Sequence, residues 1–120
     1  MEHKENNTLT DFIAQLKSQH QTIEFEQVMQ VIMENYHYQP TTFHNDKLVN
    51  EAGTNEGSCK IFYFAQLNNL NQQETLACFG RYYRDDVLAN PEGNDHANIR
   101  NFIKTGWQGI KFDSAALLAI

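Results

Sequence analysis

The stretch from Asn55 to Gly106 limits the fold more than any other part of the chain, and its first helix limits it most. From Glu56 to about Leu70 the apolar residues fall at Cys59, Phe62 and Tyr63 on one side and at Ile61, Phe64 and Ala65 on another. Apolar positions around that much of the circumference do not suit a surface helix. The helix predicted over 56–70 is therefore central and buried on most sides. Both cysteines, the three arginines (Arg81, Arg84, Arg100) and the one tryptophan also lie between Asn55 and Trp107, so reactive and charged groups interleave with the core pattern.

The flanking elements follow from periodicity and punctuation. Residues 1–7 are polar and expected to fray. Thr8 is expected to cap a first helix with Leu9, Phe12, Ile13 and Leu16 on one stripe. Thr22 is expected to cap a second, antiparallel to the first, with Phe25, Val28, Met29, Ile32 and Tyr36 on its inner face. Pro40 ends that run, and Thr41–Asn45 reads as a short strand. Asp46 to Thr54 reads as loop. Asn71 and Glu74 have capping-box spacing at the start of a fourth helix, which carries Leu76, Phe79, Tyr83 and Val87. Gly80 falls in its middle, a cost that close helix packing explains. Residues 90–94 read as a turn. Asp95 or Asn94 caps a fifth helix with Ile99, Phe102 and Ile103 inward, and Gly106 stops it. Gly109–Phe112 reads as a second strand, predicted to pair with Thr41–Asn45 because two lone strands need each other. The expected fold is mainly α (α+β): about five helices and one two-stranded sheet in a single domain, 1–120.

Composition narrows the function classes. A chain of 120 residues with 41% hydrophobic and 12% aromatic content can build a core and is not a disordered segment. A net charge of −6 without a Lys/Arg block argues against nucleic acid and anionic membranes as partners. Cys59 and Cys78 make no disulfide framework and read as reduced thiols. No apolar run reaches bilayer length, and Met1 to Asn7 lacks the apolar stretch of a signal peptide. These features give a cytoplasmic expectation.

Five runs stand in order: Phe43-His44-Asn45-Asp46; Asn55-Glu56-Gly57-Ser58-Cys59-Lys60-Ile61-Phe62; Thr75-Leu76 with Cys78-Phe79-Gly80 and Tyr82-Tyr83-Arg84; Asn90-Pro91 with Gly93, Asp95-His96, Asn98-Ile99-Arg100 and Phe102; and Gly106-Trp107 with Gly109-Ile110 and Phe112. Together they resemble the HopJ family, the HopPmaJ-type type III effectors, over about Phe12 to Phe112. The resemblance implies a bacterial protein and names type III secretion. It brings no catalytic activity, and no cofactor is expected. Nothing in the N-terminal sequence argues for secretion or against it.

The chemistry-bearing residues each have a plain and a sharp reading. Cys59 falls in the first turn of the central helix, where the dipole favours a thiolate, with His44 or His96 as the available base. Its plain reading, like that of Cys78, is a small core residue. Asn55, Glu56 and Ser58 read as caps of the same helix or as the rim of a polar pocket holding an anion at the helix start. Tyr82 and Tyr83, about 100° apart, face different sides, so one can be core and the other line a site. Arg84 and Arg100 clamp an anion or pair with Asp85, Asp86, Asp95 or Glu56. Trp107 covers the last helix or stacks on a ligand. His3, His20 and His37 read as surface histidines. His44, Asp46, Glu56, Asp95 and His96 lack zinc spacing, so no metal is expected. The leading expectation is a non-catalytic binding or interaction protein for a small-molecule or protein partner. A cysteine-dependent hydrolase or transferase is the alternative, and an effector acting on a host protein is the third.

Overall fold

The computed structural model describes residues 4–120. Residues 1–3, with His3 and part of the segment expected to fray, lie outside it. The first helix, α1 (Lys4–Ser18), runs straight through Thr8, which is therefore not its cap. No proline or glycine interrupts 4–8, and helical bonding continues past the point where apolar periodicity starts. Phe12 and Leu16 are buried against the core. Helix α2 (Phe25–Asn35) begins at Glu24, whose carboxylate and Gln27 form a reciprocal capping box. Thr22 instead closes a short 3-10 turn through its hydroxyl, 2.7 Å from the Gln19 carbonyl. Gln27 Nε2 reaches Gln15 Oε1 at 2.8 Å and ties α2 to α1.

The chain leaves α2 one residue before Tyr36, which is extended rather than helical. Tyr36–Tyr38 forms β1, paired antiparallel with the C-terminal β5 (Leu117–Ala119) in a two-stranded sheet. Aromatic residues before a proline favour this extended path over another helical turn. The predicted sheet forms between β2 (Phe43–Asn45) and β4 (Ile110–Phe112), with Phe43 opposite Phe112 and Asn45 opposite Ile110. It is one strand wider than expected. Leu48–Asn50, read as loop, is β3 on the other edge of β2, after a two-residue turn with Asp46 at φ +58°. Aspartate tolerates that backbone, so a hairpin forms without the glycine that would have announced it.

Helix α3 (Glu56–Leu67) is central, with Cys59, Ile61, Phe62, Phe64 and Ala65 all buried. The Phe62 ring sits among Phe43, Phe79 and Phe102 at centroid distances of 6.0, 5.5 and 4.9 Å. Helix α4 (Gln72–Ala77) opens with the expected box: Asn71 Oδ1 accepts from the Glu74 amide at 2.7 Å, and Glu74 Oε1 from the Asn71 amide at 3.0 Å. It is not the start of one long helix. The chain breaks after Ala77, Gly80 adopts φ +61°, and a six-residue π-helical turn, Tyr82–Val87, follows. Helix α5 (Ala97–Thr105) is capped neither by Asp95 nor by Asn94. His96, at φ +53°, occupies the capping position. Gly106 ends α5 as expected, with φ +59°. Ile99 and Phe102 point inward, but Ile103 is 39% exposed. Trp107 packs edge-on against Phe102 at 5.0 Å.

Candidate functional site

Two helix starts open onto one cleft of about 400 Å³. Helix α3 begins from Asn55 (φ +50°, ψ +47°) and α5 from His96 (φ +53°, ψ +51°), and neither side chain caps its own helix. The first intrahelical bonds are made by the amides of Cys59 and Arg100. The three amides before each therefore have no intrahelical acceptor. A left-handed residue followed by helical ones turns successive N–H groups toward a common point, a geometry that suits anions. Gly57, Ser58, Ala97 and Asn98 line the cleft from the two sides, and Phe25 and Tyr82 give it an aromatic wall.

The two starts are joined by buried asparagines. Asn50, at 1% exposure, receives at Oδ1 the side-chain amides of Asn55 (2.7 Å) and Asn98 (2.9 Å). Its own Nδ2 lies 3.2 Å from Asn98 Oδ1. Asn45 Nδ2 bonds Asn98 at both O (2.8 Å) and Oδ1 (3.0 Å). Among the described residues, Asn45 Oδ1 is the buried side-chain atom left without a partner. Asn45 and Asn50 come from β2 and β3, so the unforeseen hairpin carries the network that spaces the helix starts.

His96 stands where the cleft meets the π-turn. Its Nε2 lies 2.9 Å from Asp86 Oδ2, and its ring lies 5.4 Å from that of Tyr82. In a π-turn the bonding spans five residues, so positions four apart come close to one face. Tyr82 and Asp86 have that spacing, and both reach His96.

The model of the family described as HopJ type III effector protein matches residues 9–117. The chain belongs to the HopJ family. A crystal structure described as that of an unknown function protein, VPA0580, is similar at 54% identity, covers 93% of each chain and superposes with a TM-score of 0.92. No curated protein matches the chain.

Within this HopJ fold the residues singled out in sequence separate into groups. Asn55, Ser58, Tyr82 and His96 line the cleft. Asn55 does so without capping, its amide spent on Asn50. Glu56 turns away, its Oε2 accepting from the Tyr38 hydroxyl at 3.1 Å. Asp95 pairs with Arg100 (2.6 Å), and Arg100 Nη1 also holds the Asn90 carbonyl at 2.8 Å, closing the turn below His96. The Arg100 guanidinium beside Asp95 holds that carboxyl below the usual range. Arg84 does not join Arg100 as a clamp. It bonds the Ile23 carbonyl at 2.8 Å, with Glu24 at 3.8 Å, and so pins the π-turn to the start of α2. Trp107 serves the core. Tyr83 packs against the core while Tyr82 faces the cleft.

Cys59 takes its plain reading as a core residue, and the alternative pairing with a histidine does not form. One helical position past Ser58, Cys59 points inward at 2% exposure, with Sγ 3.9 Å from the Thr41 carbonyl. His44 faces Asp113 at 3.6 Å, and His96 is held by Asp86. Burial pushes the Cys59 thiol up, more than the Thr41 contact and Lys60 lower it, and burial raises Cys78 as well. A raised thiol keeps less thiolate at neutral pH. Alkylation of folded protein by iodoacetamide at pH 7 is therefore expected to run about a hundredfold slower than in denaturant. Rapid labelling mapped to Cys59 in the folded state would contradict this. Among the described residues, no three His, Cys, Asp or Glu side chains gather as a metal site requires, and no helix is long and apolar enough to cross a membrane.

Sequence reasoning missed Asp86, Asn50, Asn98 and Phe25. A signal was present for part of this: Asn45, Asn55 and Asn98 all sit in the runs that carry the family resemblance, and buried asparagines are uncommon enough to need mutual partners.

Proposed function

We propose that this HopJ-family chain is a small non-catalytic binding protein whose cleft holds the carboxylate or phosphate of a metabolite-sized ligand. The carrying observation is the opening of two uncapped helix starts, each from a left-handed residue, onto the same space. Amides at a helix start favour anions through both hydrogen bonding and the dipole. A volume of about 400 Å³ suits a small molecule. The net charge of −6 works against an anion, but the nearby carboxylates are directed to other partners: Glu56 to Tyr38, Asp95 to Arg100 and Asp86 to His96.

Titration of inorganic phosphate into labelled protein tests it. The backbone amide resonances of Gly57, Ser58, Ala97 and Asn98 are expected to move together, with a Kd of about 1 mM for the bare anion. Ser58→Ala is expected to weaken binding severalfold without unfolding the chain. Shifts scattered over the lysines, or none at these four residues, would sink the reading. The bacterial cytoplasm is the proposed compartment. Type III secretion enters through the family description, and reporter release from strains with and without the apparatus decides it.

A further inference from the structure

We propose that His96 Nδ1 is a phosphoryl acceptor, taking a phosphoryl group from a small acyl phosphate that enters the cleft. The inference rests on the anion-binding reading and adds a covalent step to it.

Three observations meet at this side chain. The first is tautomer control. Among the described residues the hydrogen bond of the ring runs from Nε2 to Asp86 Oδ2 at 2.9 Å. With the neutral ring donating there, Nδ1 carries the lone pair, because a second-sphere carboxylate decides which nitrogen is protonated. The second is access. The His96 side chain lines the cleft and is 29% exposed, whereas Asp86 approaches it from the π-turn outside that cleft. The third is charge placement. His96 is the residue from which the nine-residue α5 starts, so the amides of 97–99 follow it directly in the chain, and it shares the cleft with Ala97 and Asn98 and with Gly57 and Ser58 from the start of α3. A phosphoryl group there meets backbone donors rather than side chains that would have to reorganise.

The step balances without a further reactant. The Nδ1 lone pair attacks phosphorus, an N–P bond forms, and the P–O bond to the acyl group breaks. The leaving carboxylate departs with that electron pair. No proton leaves the ring: Nε2 keeps its hydrogen, the ring becomes cationic, and Asp86 balances it. Asp86 is thus a positioning residue, and it is contributed by the π-turn that also sets Tyr82 against the ring at 5.4 Å. Asp95 Oδ2, 3.9 Å from Nε2, is the other nearby carboxylate, and its partner is Arg100.

The test uses the full chain with acetyl phosphate as donor. Intact-mass measurement is expected to show a single adduct of about 80 Da, the mass of one phosphoryl group. It is expected to vanish on brief acidification and persist in alkali, as a phosphoramidate does. His96→Asn, chosen because asparagine tolerates the left-handed backbone, should abolish it, while His44→Gln should not. Asp86→Asn should slow formation at least about tenfold and change its pH profile, the signature of lost tautomer control rather than lost fold. An acid-stable adduct, which would place the group on Ser58, overturns the inference, as does an adduct that survives in His96→Asn. No adduct while inorganic phosphate still shifts the four cleft amides overturns the inference and leaves the binding reading standing. No response to either reagent overturns both.

Discussion

Gly80→Ala is expected to lower the unfolding free energy by about 3 kcal/mol, from left-handed strain and overpacking together. Gly80 has φ +61°, and a Cβ placed there would lie 2.7 Å from the Phe25 backbone nitrogen and 3.3 Å from the Glu24 carbonyl carbon. Backbone atoms at a capped helix start cannot swing aside as a side-chain tip can. Gly53 supplies the comparison: its φ is +87°, but a Cβ there meets nothing within 4 Å. Gly53→Ala should therefore show the strain without the clash, a loss of about 1 kcal/mol. Urea midpoints for the two variants separate the contributions. Equal losses would mean that the contact with α2 carries no energy. The Gly80 variant should also disturb the cleft, because this residue begins the turn that carries Tyr82 and Asp86 to His96.

What could be read in the sequence was local. The burial of α3 follows from apolar residues on most of its circumference. The Asn71–Glu74 box and the Gly106 stop are decided within a few residues of chain. The β2–β4 pair was reachable because two extended runs had few other partners. The failures share a different cause. β1 and β5 are about eighty residues apart, and neither stretch is a convincing strand until the other lies beside it. Leu76, Phe79, Tyr83 and Val87 keep an α-helical spacing although the chain breaks between them, so periodicity cannot distinguish one helix from a helix, a left-handed glycine and a π-turn. Asp95 is the better cap by residue type, yet pairing with Arg100 takes its side chain and leaves His96 to start α5.

The site was half legible for the same reason. Asn55, Ser58, Tyr82 and His96 were recognisable as polar or aromatic groups at predicted helix starts and faces. Asp86 looked like one more acid in an acidic chain, and Asn50 looked like loop. Their roles depend on the hairpin and the π-turn, the two elements that periodicity does not reveal. The cleft is thus assembled by the least predictable parts of the fold, while the predictable core holds them in place.

The clearest consequence concerns Asn50. Asn50→Ala is expected to destabilise the protein by about 2 kcal/mol, because it strands the buried Asn98 side-chain amide and takes the acceptor from the more exposed one of Asn55. Each of those amides comes from one of the two helix starts, and both converge on Asn50 Oδ1. Losing that oxygen therefore releases the spacing of the cleft as well as the hydrogen bonds. Asn50→Asp keeps an acceptor for both amides, but its buried carboxylate would face Asn98 Oδ1 and add negative charge beside the cleft, so it should lose the phosphate response as well. Asn55 and Asn98 do not bond each other, so any coupling between them should pass through Asn50. A double-mutant cycle on Asn55→Ala and Asn98→Ala is expected to give about 1 kcal/mol in the native background and close to zero with Asn50→Ala. A stability loss that leaves phosphate affinity unchanged would make the network a support of the fold alone. Coupling that persists without Asn50 would mean that the two helix starts communicate through the backbone of β3 instead.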